Sequence, residues 1–164
     1  MKDIDEYGLK LCAYQADIFR KSASDQECSS GIFVRRFMNS ELAERMDRKG
    51  SFFESSSVSG AFEELNRQYG KSSYGKIKYG AEELYWIGYI YRYWSYISDS
   101  SSKHLYKVIK PDELRRLYLP YHSLDPKQAI ERIMETEKEN EKTDIARGVA
   151  ILRMVRRRRT ISGN

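Results

Sequence analysis

Glu82-Glu83-Leu84-Tyr85-Trp86-Ile87-Gly88-Tyr89-Ile90-Tyr91-Arg92-Tyr93-Trp94-Ser95-Tyr96-Ile97 is the run whose reading decides the fold. On a helical wheel Leu84, Ile87, Tyr91 and Trp94 share one face, Tyr85, Tyr89, Tyr93 and Tyr96 another, and Trp86, Ile90 and Ile97 a third. Aromatic residues also favour sheets, so a strand is the rival reading. Two acids at the start and an unbroken length well beyond an ordinary strand fit a helix better. A helix that is apolar all round is buried on most sides, which makes this the central helix of a bundle.

Working outward from it, every other strong signal is also helical. The first segment sets Ile4, Gly8, Leu11, Cys12, Gln15, Ile18 and Phe19 on one face. Ser29 or Ser30 caps a second helix carrying Phe33, Phe37 and Met38, Ser40 can cap a third with Leu42 and Met46, and Gly50 ends it. Ser57 opens a helix with Val58, Ala61, Phe62, Leu65 and Tyr69 inward, and Gly70 closes it. Residues 71–80 form a polar connector; alternation around Tyr74, Ile77 and Tyr79 suits one short strand, but a lone strand has no partner. Downstream, Leu105, Val108 and Ile109 mark a short helix. Pro111 with Asp112 and Glu113 starts the next, which Pro120 stops. Asp125-Pro126 starts another, with Ala129, Ile130, Ile133 and Met134 on its face. The charged stretch 135–144 then separates it from a last helix, capped by Thr143 or Asp144 and carrying Ile145, Val149, Leu152 and Val155. The expectation is an all-α, single-domain multi-helix bundle around a central aromatic-rich helix. Residues 1–142 form its core, and 143–164 a C-terminal helix with an arginine-rich tail.

Composition narrows the function classes. Of 164 residues, 40% are hydrophobic and 32% charged, a globular balance. Mean hydropathy is −0.71, and no apolar run approaches a membrane span. The start, MKDIDEYGLK, places acids where a signal peptide needs a basic and then an apolar segment, so a cytoplasmic protein is expected. Cys12 and Cys28 lie within or beside apolar helical patterns and read as reduced core thiols. The net charge of +5 hides a segregation: residues 145–164 hold six arginines and no acid, which leaves −1 for residues 1–144. The basicity belongs to a tail, not to a face of the domain.

The chain carries no HExxH, CxxC, GxSxG, P-loop or GxGxxG motif, so no catalytic residue, metal or cofactor is expected. Arg116 and His122 are spaced as in the arginine–histidine pair of helical HEPN-type RNases, where arginine steadies a phosphate and histidine moves a proton. With sixteen arginines in the chain, such spacing also arises by chance. Tyr89, Arg92, Tyr93 and Tyr96 stand together at helical spacing and are residue types that dominate binding hot spots, which makes them the candidate partner-binding set. Core packing competes for the tyrosines, whereas Arg92 must find water, an acid or a ring face. Arg156, Arg157, Arg158 and Arg159 point around the whole circumference of a helix, so they read either as a solvated end or as sequence-blind phosphate contacts, the candidate nucleic-acid-binding set.

Three groups of segments resemble a known family. They are Tyr14-Gln15-Ala16-Asp17-Ile18-Phe19 with Ile32-Phe33-Val34-Arg35-Arg36-Phe37-Met38-Asn39-Ser40, the run Glu83 to Trp94, and Leu119-Pro120-Tyr121-His122-Ser123-Leu124-Asp125-Pro126 with Gln128-Ala129-Ile130-Glu131-Arg132-Ile133. Together they look like small bacterial antitoxins encoded beside a toxin that resembles ADP-ribosyltransferases. The likeness spans residues 7–155 and stops short of the arginine run. It implies an antitoxin that neutralises its cognate toxin by direct protein–protein binding. Such antitoxins often also repress their own operon, which would give the C-terminal tail, outside the likeness, operator DNA as a second partner. The alternatives are the HEPN-like RNase using Arg116 and His122, and a nucleic-acid-binding regulator.

Overall fold

Side-chain caps set where the helices begin. In the computed structural model, which describes residues 1–48 and 57–161, Asp5 accepts the Gly8 amide at 2.8 Å and starts α1 (Glu6–Asp25). Ser29 accepts from Ile32 at 3.3 Å and starts α2 (Ser30–Met38), and Ser40 accepts from Ala43 at 3.1 Å and starts α3 (Glu41–Asp47). Ser57 does the same for α4 (Val58–Tyr69), whose end is Gly70 at a φ of 75°, a left-handed backbone that glycine takes without strain. The helix stop expected at Gly50 lies outside the described residues.

The central run forms α5 (Ala81–Ser98), entered through Glu83, whose carboxylate accepts the Gly80 amide at 2.9 Å. Ser101 caps α6 (Ser102–Val108), and α7 (Pro111–Tyr121) opens on its proline. Pro120 sits inside the last turn of α7 rather than stopping it, one residue from the end. The last element is α8 (Pro126–Ile161). Among the described residues the secondary structure is entirely helical, and the aromatic helix is its centre: Leu84, Ile87 and Tyr91 are 0% exposed and Trp94 is 4%. The connector 71–80 forms no strand. It folds over the start of α2, where the Tyr74 and Ile77 carbonyls accept the Ser29 and Ser30 amides at 2.9 and 3.0 Å.

Packing explains the glycine in the middle of α5. A Cβ on Gly88 would lie 2.7 Å from Cγ of Phe19, so α1 and α5 approach this closely only because position 88 has no side chain. Phe19 in turn meets Phe37 and Phe33 edge-on, with ring centroids 5.0 and 5.5 Å apart. Tyr91 crosses to the end of α6 and donates its hydroxyl to the Ile109 carbonyl at 2.7 Å. Cys12 and Cys28 are both free and buried, and burial pushes the Cys12 thiol up to about 12.

Met1–Lys127 make one compact unit and a second begins at Gln128, against an expected boundary between 142 and 143. The charged stretch 135–144 does not break α8. Thr136 and Thr143 turn their hydroxyls back onto the Arg132 and Glu139 carbonyls at 3.0 and 2.9 Å, so Thr143 bonds within the helix instead of capping a new one. No helix among the described residues is long and apolar enough to cross a membrane.

Candidate binding groove on the aromatic helix

Tyrosines four residues apart fall on one helix face, and on α5 they form a ladder. Tyr85 and Tyr89 stack with centroids 6.3 Å apart, and Tyr89 and Tyr93 at 6.2 Å. Arg20 of α1 covers the outer end, its guanidinium 4.0 Å from the Tyr85 centroid and 3.3 Å from the Glu82 carboxylate. A second aromatic row comes from α7, where Tyr118 and His122, also four apart, stack at 4.5 Å. Tyr118 meets Trp86 edge-on at 5.9 Å, which joins the two rows.

Between them lies a groove of about 290 Å³ lined by Glu82, Tyr85, Trp86, Tyr89, Ile90, Tyr118, His122, Leu124 and Pro126. Trp86 and Ile90 are buried and form its floor. Its walls are stiff, because each ring is held by another ring or by a cation, so little side-chain freedom would be lost on binding. Burial raises the Tyr89 hydroxyl to about 12 and moves that of Tyr93 upward. Both therefore stay neutral donors at physiological pH. His122 places Nδ1 2.9 Å from the Tyr118 carbonyl; since a carbonyl only accepts, Nδ1 carries the proton.

The residues expected to bind a partner divide into three. Tyr89 lines the groove and Tyr93 continues its ladder inward. Tyr96 is tied to α1 instead, donating to the two Asp5 oxygens at 2.8 and 2.9 Å, with Lys2 over its ring. Arg92, expected in that set, is 1% exposed and offers nothing to a partner. Its Nη1 meets Asp47 Oδ1 at 2.7 Å, Nε donates to Gln15 Oε1 at 2.8 Å, and Nη2 donates to Ser102 Oγ at 2.9 Å. The acid that satisfies it comes from the end of α3, forty-five residues away in sequence.

Tyr118, Leu124 and Pro126 belong to the groove although α5 alone does not point to them, whereas Tyr85 and Trp86 come from α5 itself. The i, i+4 spacing of Tyr118 and His122 was the available signal for the second wall. Arg116 and His122 do not converge on this groove. Arg116 pairs with Asp112 one turn back at 3.0 Å and is not among the lining residues. Arg156, Arg157, Arg158 and Arg159 are exposed on α8. Among the described residues no group of three or more His, Cys, Asp or Glu is placed to hold a metal ion. Comparison of the chain with protein-family models, curated proteins and solved structures gave no match.

Proposed function

We propose that this protein is an antitoxin that works in the cytoplasm by binding a cognate toxin stoichiometrically, with the groove between α5 and α7 as the docking surface. The observation that carries the reading is this groove, in which aromatic rings fixed by their neighbours surround a concave surface with one carboxylate, Glu82, at its edge. Rigid, partly buried aromatics around a concavity are what a protein partner's apolar anchor needs, because they exclude water and are already ordered. The resemblance of the Glu83–Trp94 and Leu119–Pro126 segments to antitoxins supports the same reading, since those two segments supply most of the lining. It names an ADP-ribosyltransferase-like toxin as partner. The exposed arginines of α8 would add sequence-blind contacts to operator DNA.

The RNase alternative requires Arg116 and His122 to face one phosphate. Arg116 is engaged with Asp112, while His122 stacks on Tyr118 with Nδ1 against a backbone carbonyl. Co-expression with each neighbouring gene product tests the proposal. The toxin's growth arrest should be relieved in proportion to the amount of this protein, and relief should survive Arg116→Ala. Arrest that persists beside abundant folded protein would refute it.

A further inference from the structure

Every described side chain from Lys138 to Arg159 on α8 is exposed. Between Glu141 and Arg156 the 3.6-residue period gathers Glu141, Ile145, Gly148, Val149, Leu152 and Arg156 into one stripe, which Lys138 and Arg159 extend by one turn at either end. Ile145 is 68% exposed, Val149 42% and Leu152 63%, an unusual amount of aliphatic surface for one helix face. A Cβ placed on Gly148 would meet nothing within 4 Å, so the stripe has a notch in its middle.

The order of residues on the stripe says what covers it. Reflected through the point between Gly148 and Val149, Glu141 falls on Arg156, Ile145 on Leu152, and Gly148 on Val149. From Glu141 to Arg156 the pattern maps onto itself with opposite charges and matching apolar groups, which a two-fold, self-complementary interface requires; the next pair out, Lys138 and Arg159, is like-charged and marks where the contact ends. We infer that α8 pairs antiparallel with α8 of a second copy of this chain, the dyad passing between Gly148 and Val149. Each Glu141 then faces Arg156 of the other copy, each Ile145 packs on Leu152, and the Val149 side chain enters the Gly148 notch. A parallel pair would set Glu141 against Glu141 and Arg156 against Arg156, which charge repulsion opposes. The contact from Glu141 to Arg156 runs about 24 Å along the helix, so a reversible dimer is expected rather than a permanent one. The proposal is independent of the groove and of what binds there.

Sedimentation equilibrium of the full chain tests it. Wild type should show a concentration-dependent monomer–dimer equilibrium. Glu141→Arg and Arg156→Glu should each weaken the dimer at least about tenfold, and the double charge swap should restore it. Ile145→Asp, at an exposed position, should give a monomer with unchanged unfolding of the Met1–Lys127 unit. A wild type that stays monomeric at about 0.3 mM, far above a micromolar dissociation constant, overturns the inference. So does a dimer indifferent to the single substitutions, or a double swap that fails to recover it; each outcome points to another surface or another protein as the occupant.

Discussion

Arg92 of α5 and Asp47 of α3 form an ion pair inside the helical body, Nη1 2.7 Å from Oδ1, with the arginine side chain 1% exposed. Asp47 is shared further: Ser102 donates both its amide, at 2.8 Å, and its hydroxyl, at 2.7 Å, to the same carboxylate. Four helices, α1, α3, α5 and α6, are thereby joined at one guanidinium through Gln15, Asp47 and Ser102. Burying the arginine and covering most of the carboxylate costs desolvation energy, so the pair's value lies less in net stability than in fixing how short helices meet the central one.

Removing one partner leaves the other charge buried and uncompensated. Asp47→Ala should therefore lower unfolding stability by about 3–5 kcal/mol, while Arg92→Met, which removes a charge and keeps volume, costs less than Arg92→Ala. Urea unfolding checks this; a loss below about 1 kcal/mol for Asp47→Ala would mean that the Arg92 guanidinium left behind is served by solvent.

Gly88→Ala should also destabilise, although alanine is the better helix former. The propensity gain is about 1 kcal/mol, but the new methyl would sit 2.7 Å from the root of the Phe19 ring, which cannot swing aside as a flexible chain end would. Overpacking of this kind costs about 1–3 kcal/mol and should win. Thermal unfolding of Gly88→Ala decides the sign, and Phe19→Leu in the same background should recover part of the loss.

Buried tyrosines predict an alkaline limit. In the folded chain Tyr91 titrates well above the ordinary tyrosine value of 10, and Tyr89 and Tyr96 are held near about 12, all chiefly by burial. Above pH 10 the unfolded chain loses protons that the folded chain keeps, so this contribution to stability is whole below about 10 and declines as pH rises toward about 12. Phenolate absorbance during alkaline titration should show a delayed class of tyrosines that becomes normal in denaturant.

Deletion of residues 157–164 should leave unfolding of the Met1–Lys127 unit unchanged. It should also lower affinity for DNA or RNA, with a shallower salt dependence, because Arg157, Arg158 and Arg159 are lost together. Full-length protein without nucleic-acid binding at about 50 mM salt would leave the arginine run as a solvated helix end.

The sequence made the central helix legible because its apolar residues cover the full circumference, and it made most helix starts legible because Ser29, Ser40 and Ser57 occupy cap positions. Asp47 was not legible. An acid ending a seven-residue helix looks like surface, and only the three-dimensional return of α3 to α5 gives it Arg92. The groove was half legible: Tyr89 stood out on α5, but its opposite wall depends on α7 folding back so that Tyr118 reaches Trp86. The break expected in 135–144 failed for a local reason. A stretch without glycine or proline has nothing to stop a helix, and its threonines bond within it.

The proposal that the α5–α7 groove docks a toxin is checked by measuring the affinity of the purified protein for the product of each neighbouring gene. A stoichiometric complex with one of them is expected, which Tyr89→Ala weakens by about 2 kcal/mol, roughly thirtyfold, and Arg116→Ala leaves unchanged. No complex with either neighbouring gene product, or a complex of undiminished affinity when folded Tyr89→Ala replaces the wild type, would contradict it.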